Sequence, residues 1–448
     1  MKKFAIISLG CPRNLVDSEV MAGHLKASGL KMSPLEDGVD VVVVNTCAFV
    51  ESAREESIEA IIEAGDLKKK GKAKYLVISG CLGQMYKNKL ADKLPEADLI
   101  IGTSDFPRIS GLLMEIKKRK NRSAISSHLS YLYNENSPRL PFTPKHYAYI
   151  KISEGCSNCC SYCVISRLRG DFRSRLLGSV VAEVRDLARW NTLKEIELIG
   201  QDTTLFGADR HGRRELPRLL RELSKLENSI KWIRLLYTHP AHYTDELIDV
   251  IGSEGKICKY LDLPIQHISD KVLRLMNRKT TKKEITKLIH ILRKKIPGLV
   301  LRTSIITGFP GETDKDFKEL LKFLADIKFD ALGAFIYSRE EGTRASRLKD
   351  QVSEGLKQER YDQVMKLQQA ISIGSKRKFL GKIVDVLIDE KASGEDNKVS
   401  NSFIGRTQGD APEIDGVVYL TGKGVKVGDF CKVRITDTLE YDLIGEKA

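Results

Sequence analysis

Short apolar runs alternate with longer stretches of helical periodicity along most of the chain. In residues 1–118 the apolar runs fall at 4–9, 40–45 and 74–79, with a fourth near 98–101. Between them, 16–28 and 51–67 repeat apolar residues at the spacing of an amphipathic helix. Buried strands separated by helices predict a parallel sheet covered on both faces. The alternation resumes beyond residue 147, with predicted strands at 147–153, 195–200, 231–237, 259–264, 299–306 and 332–337. Helices are predicted near 178–190, 214–227, 244–252, 282–296 and 313–326. Six β/α units in succession describe an open or partial barrel, short of the eight that close one. Residues 344–378 read as mostly helical. From 376 the pattern changes to short strands punctuated by glycine, the pattern of a small five-stranded antiparallel β-barrel. The fold class is therefore α/β, with domains at 1–118, 142–373 and 376–445. A linker at 119–141 is marked by Asn134-Glu-Asn-Ser-Pro138 and Pro141.

Composition adds constraints to this outline. No run of about 18 apolar residues occurs, so no membrane span is predicted. The basic-then-apolar start, Met1 to Gly10, is ended by Cys11-Pro12 without a small-residue cleavage site, and reads as a first strand. Nine cysteines, mostly without disulfide-like spacing, suit a reducing cytoplasm. The net charge of +14 is concentrated in the middle domain: Lys+Arg against Asp+Glu is 17 to 16 in residues 1–118, 45 to 31 in 119–375 and 12 to 13 in 376–448. A basic middle domain suits work near nucleic acid, and a solvated lysine-rich surface explains any single patch equally well.

The candidate chemistry is carried by cysteine. Residues 156–163 read Cys156-Ser-Asn-Cys159-Cys160-Ser-Tyr-Cys163. Cys156, Cys160 and Cys163 form a C-x3-C-x2-C array, which wraps three thiolates around one corner of a cubic iron–sulfur cluster. Such clusters normally take four cysteines, so three leave one iron open to a substrate. Cys159 also creates two abutting C-x2-C pairs, a zinc signature. Pairs without a spacer would strain the backbone around a tetrahedral ion, and the loop follows a strand of a long α/β stretch, which favours the cluster. Three more cysteines, Cys11, Cys47 and Cys81, each follow a strand of the first domain. The carboxyl ends of strands in an open α/β sheet share one edge, where ligands bind. Three thiols converging there suggest a second iron–sulfur cluster.

The C-x3-C-x2-C array, Tyr162 before its last cysteine and the six β/α units resemble the radical S-adenosylmethionine superfamily. The strand-end cysteines and the C-terminal barrel narrow the resemblance to the methylthiotransferases, whose barrel is a TRAM domain. Four strings are similar to the branch acting on an aspartate of small-subunit ribosomal protein S-twelve. They are Ser8-Leu-Gly-Cys-Pro-Arg-Asn-Leu-Val-Asp-Ser-Glu19, Gln201-Asp-Thr-Thr204, Tyr260-Leu-Asp-Leu-Pro-Ile-Gln-His267 and Gly405-Arg-Thr-Gln-Gly-Asp-Ala-Pro-Glu-Ile-Asp-Gly416. The tRNA-modifying branch shares the architecture and is the alternative; it typically has Gln-Met-Asn where this chain has Pro12-Arg13-Asn14. The acidic residues Asp410, Glu413 and Asp415 of the barrel string suit a basic protein partner better than a phosphate backbone.

The resemblance covers essentially the whole chain and implies two 4Fe-4S clusters, one on Cys156, Cys160 and Cys163 and an auxiliary one on Cys11, Cys47 and Cys81. Cys159 becomes a bystander. It also implies S-adenosylmethionine bound at the first cluster, cleavage of it to a 5′-deoxyadenosyl radical, a sulfur donor, and an electron-donating redox protein. Gly200, Gln201 and Asp202 fall where the methionine amino group is bound, Gln266 and His267 near the ribose, Arg302 at the methionine carboxylate, and Gly308, in Thr307-Gly-Phe-Pro-Gly-Glu312, against adenine. A strand-end Gln-Asp also caps helices, and a buried arginine also satisfies buried acids, so those two readings stay open. His239 and His242 read as structural.

Overall fold

A computed structural model of the chain describes residues 1–118, 121–227, 229–392 and 401–448. The first domain is a six-stranded parallel sheet in which Lys3–Ser8, Val39–Thr46, Ala73–Gly80 and Leu99–Ile101 are flanked by two short strands. Val39–Thr46 is buried along nearly its whole length because helices cover both faces. The flanking strands, Lys31–Met32 and Ser123–Ala124, are too short for a sequence pattern to mark. Ser123–Ala124 lies inside the expected linker, of which residues 119–120 fall outside the described residues.

The rest of that segment is not a loose spacer. Tyr133 is buried, and the Arg139 guanidinium joins Glu19 of the first domain at 2.6 Å to Glu183 of the second, also at 2.6 Å. The backbone at Pro138 runs so close to Gly23 that a side chain there would overlap it. The helix Pro12–Ala27 explains this crowding. It buries Asn14, Asp17, Ser18 and Glu19 as well as its apolar residues, because it lies between two domains instead of against one core.

The second domain is an open sheet of six parallel strands in sequential order: Tyr147–Lys151, Glu195–Ile199, Trp232–Leu235, Ile257–Asp262, Val300–Thr307 and Ala331–Ile336. Its outer face carries the largest apolar core, built with the helices Leu177–Leu187, Leu216–Ser224, Asp245–Ser253, Lys282–Lys295 and Asp314–Ile327. Thr281 with Glu284, and Thr313 with Asp316, start the last two of these helices as reciprocal capping boxes. A second core runs from Phe4 and Val20 through Tyr149 and Tyr260 to Leu387 and Ala411, and so belongs to all three domains.

After the helix Glu354–Lys376, five strands close into a barrel. The sequence predicts an antiparallel barrel, and one pair departs from that: Val418–Thr421 runs parallel to Leu443–Lys447, while the barrel's other four pairings are antiparallel. Alternating directions cannot be maintained around a ring with an odd number of strands, so one like-directed pair is forced. The barrel docks on the amino ends of the second sheet through buried charge. Arg406 pairs with Glu195 at 2.8 Å and with Asp389 at 2.7 Å, and Arg234 also bonds Glu195 at 2.8 Å. Trp232 meets Phe430 edge-on at 4.7 Å.

Replacing Arg406 with methionine removes one of two cationic partners from the buried Glu195 and leaves the partly buried Asp389 with His146 alone. Stability measured by urea unfolding should fall by about 3 kcal/mol or more. A loss below about 1 kcal/mol would show that the docking does not depend on this guanidinium.

Candidate active site

The register of the first sheet places Ser8, Asn45 and Ser79 in one row across three strands. Cys11, Cys47 and Cys81 lie two or three residues beyond that row, at the carboxyl edge. Two glycines permit the close approach. Gly10 and Gly80 have φ of +84° and +92°, and a Cβ on Gly10 would lie 2.9 Å from Cys47 Sγ. Asn14 Nδ2 donates to the carbonyls of Leu9 and Asn45, and Asn45 Nδ2 donates back to Asn14 O at 2.9 Å, clasping the first loop to the second. Leu82 N donates to Thr46 Oγ1 at 3.2 Å and ties in the third.

The three thiols differ electrostatically. Burial, then the neighbouring Cys81 and Cys11, pushes Cys47 up to about 11, and burial also raises Cys81. Burial works in the same direction on Cys11 but is outweighed by the Arg13 and Arg169 guanidiniums, which lower it. Arg13 Nε donates to Cys11 Sγ at 3.5 Å, and Arg169 Nη2 to Cys81 Sγ at 3.7 Å.

The second cysteine set follows the first strand of the second domain. The loop is held by backbone bonds, including Cys156 N to Gly170 O at 3.1 Å and Ser161 N to Met276 O at 2.9 Å. Tyr162 packs edge-on against Phe309. Burial pushes Cys156 up to about 11 and Cys163 up to about 12, and Arg278 donates to Cys160 Sγ at 3.8 Å. Cys159 differs: it is exposed, has φ of 53°, and offers its carbonyl to Asn277 and Arg344.

The donor set fits a cluster better than a single ion. Thiolates around one tetrahedral zinc stand about 3.8 Å apart. Among the described residues, no three cysteine sulfurs lie within 4.8 Å of one another; the only such group of potential ligands is Asp202, His239 and His242. In that group the Asp202 carboxylate accepts from Asn158 Nδ2 at 2.7 Å and from Thr204 N at 3.1 Å, and bonds His242 Nδ1 at 2.8 Å. It thus both caps a short turn and ties the cysteine loop to two strand ends. Burial, reinforced by Arg278, lowers His239 to about 2 and keeps it neutral.

The other expected contacts are distributed unevenly. Gly200 is buried and its carbonyl accepts from Arg13 Nη1 at 3.1 Å. Gln201 Nε2 donates to Glu154 at 2.7 Å, while its Oε1 is buried without a partner. Gln266, at φ of 68°, bridges to the neighbouring strand through Ser304 and Ile306. His267 is fully buried, accepts from Ser269 N, and sits 3.8 Å from Glu312; burial lowers it to about 3. Gly308 packs against the side chain of Lys357.

Arg302 lies elsewhere. It pairs with Asp262 at 2.9 Å and with the barrel's Asp415 at 3.3 Å, and it lines a cavity of about 680 Å³ between the second domain and the barrel. The acid-satisfying alternative describes its environment. Two of the three acidic barrel residues expected to face a partner are likewise engaged inside: Asp415 with Arg302 and Tyr260, and Asp410 with Lys376 at 3.0 Å. Only Glu413 is exposed.

Sequence reading missed the residues that join the two cysteine sites. Asp17 pairs with both Lys151 and Arg169, and Lys151 reaches Glu154 at 2.7 Å. All four are buried. Through Glu154 this network reaches Gln201, and through Arg169 it reaches Cys81. The available signal was the density of polar residues on the first helix, which leaves too little apolar surface for an ordinary amphipathic face. Tyr237, at φ of 57° with its ring 4.4 Å from the Arg13 guanidinium, gave no sequence signal.

Comparison with known proteins agrees with this architecture. Residues 150–324 match the radical SAM superfamily, 3–102 the family described as uncharacterized protein family UPF0004, and 380–447 the TRAM domain. These three together define a radical SAM methylthiotransferase architecture. The ribosomal protein uS12 methylthiotransferase RimO of Geobacter sulfurreducens is 46% identical over 445 residues, covering 99% of this chain and 98% of that protein. RimO of Clostridioides difficile is 46% identical over 447 residues, covering 100% and 99%. The chain belongs to the RimO family. Among solved structures, the radical S-adenosylmethionine methyltransferase TsrM from Kitasatospora setae superposes with a TM-score of 0.57 at 13% identity, covering 83% of this chain and 89% of that one, a likeness of fold.

In the cluster-free protein, iodoacetamide at pH 8 should label Cys11 ahead of Cys47 and Cys81, because the thiolate is the reacting species. Labelling of Cys47 should climb about tenfold per pH unit toward pH 11. Mass spectrometry of each cysteine peptide over that range would expose equal rates, which would contradict the assigned electrostatics.

Proposed function

We propose that this chain methylthiolates the β-carbon of an aspartate in ribosomal protein uS12 by radical S-adenosylmethionine chemistry. The observation carrying this reading is that two sets of three cysteines lie at strand ends joined by one buried network. The full-length RimO relatives support the substrate class. Cys156, Cys160 and Cys163 would hold one 4Fe-4S cluster and Cys11, Cys47 and Cys81 a second, with Cys159 outside both. When bound, the clusters and S-adenosylmethionine supply the electron transfer and radical chemistry, with a sulfur donor and an electron-donating redox protein completing the reaction in the cytoplasm.

The chain's own residues bind and orient. Gln201 Oε1, buried without a partner, is an acceptor suited to the amino group of S-adenosylmethionine. Asp202 fixes Asn158 and hence the backbone between Cys156 and Cys160. Gln266 presents its side chain from a backbone held in the left-handed region, a strain that favours a binding role. Arg302 has no part in cofactor binding in this reading, because its charge is engaged by two carboxylates. Among the described residues no helix is long and apolar enough to cross a membrane.

The reconstituted, reduced enzyme should modify uS12 and leave tRNA unchanged; modification of tRNA alone would reverse the substrate assignment. Cys159→Ala should retain the iron and sulfide of the unaltered protein, whereas Cys156→Ala, Cys160→Ala and Cys163→Ala should each lose one cluster's share. Iron loss in Cys159→Ala would move a ligand to that position.

A further inference from the structure

We propose that Arg13 binds the carboxylate of the substrate aspartate and so presents its β-carbon between the two cysteine sites. This deepens the functional reading above and rests on it. Arg13 spans the gap between the domains: Nε reaches Cys11, Nη1 reaches the Gly200 carbonyl at the strand end of the second domain, and the guanidinium lies over Tyr237. Tyr237 is a firm platform. Its N–H donates to Asp262, its carbonyl accepts from Thr203, and these bonds hold an aromatic residue in the left-handed region.

Charge separates Arg13 from its neighbours. Lys151 and Arg169 share Asp17 and Glu154, and Arg302 has Asp262 and Asp415. Among the described residues no carboxylate lies within ion-pairing distance of Arg13, although its side chain is partly buried. A guanidinium offers five N–H donors, and the Nη2 pair here has no acceptor among the described residues. A partly buried guanidinium that meets the Cys11 sulfur only through Nε and has no carboxylate beside it matches a carboxylate at its remaining donors. The chemistry of the substrate completes the fit. The β-carbon of aspartate is bonded directly to its carboxyl carbon, so a grip on the carboxylate also fixes the carbon to be modified.

The test compares the full, cluster-loaded enzyme with R13Q and R13K on uS12 and on uS12 whose target aspartate is replaced by asparagine. For R13Q, kcat/KM on uS12 should fall by roughly ten- to hundredfold, the range for losing a charged hydrogen bond. The wild-type enzyme should lose a similar factor on the asparagine substrate, and R13Q little more on that substrate than the wild type does. R13K should recover part of the loss. Equal losses by R13Q on both substrates, wild-type kcat/KM in R13Q, or loss of the first-domain cluster in both variants would overturn the role. If the wild-type enzyme leaves uS12 unmodified, the functional assignment itself fails, and the role of Arg13 with it.

Discussion

Four buried charged side chains keep the two cysteine sites in one register. Asp17 comes from the first helix, Lys151 and Glu154 from the start of the second domain, and Arg169 from the segment after the cysteine loop. Two acids against two bases leave the group neutral, which makes burial tolerable; removal of any one would leave an uncompensated charge in the interior. Such groups contribute less to stability than well-packed apolar residues would, but their geometry is specific. An apolar contact could slide by a residue, whereas these bonds admit one docking. The alignment of Cys81 with Gln201 across the domain boundary follows from that restriction.

The glycines before Cys11 and Cys81 act at a shorter range. They let neighbouring loops approach until the thiols influence one another, while Asn14 and Asn45 clasp the loops together. The thiols are thus arranged by hydrogen bonds and packing in the chain itself. A cluster binding there would meet a prepared edge with little loop entropy left to lose.

Much of this was legible in the sequence. The six-strand order of the second domain follows from β/α alternation because each crossover helix forces its next strand to lie parallel and adjacent. The strand-end cysteines were legible for the same reason, since strand ends share an edge. What escaped were features set by tertiary partners. The burial of Asp17 and Glu19 depends on a second domain that no local period announces. The engagement of Asp410 and Asp415 with Lys376 and Arg302 turned an apparent recognition loop into a docking surface. The packing of the linker was not legible because proline and asparagine mark irregular backbone whether or not it is buried; Tyr133 is buried and Arg139 pairs with Glu19.

The docking of the barrel bears on how such a chain can diversify. Its charged contacts fall on consecutive strands of the second sheet, from Glu195 through Arg234 and Tyr260 to Arg302. An exchange of barrels between relatives at the helix Glu354–Lys376 would therefore not be a free swap. The incoming barrel would need a counterpart of Arg406 for Glu195 and of Asp415 for Arg302, or leave charges unpaired at the base of the sheet. Recombination at that junction would thus be filtered by charge matching.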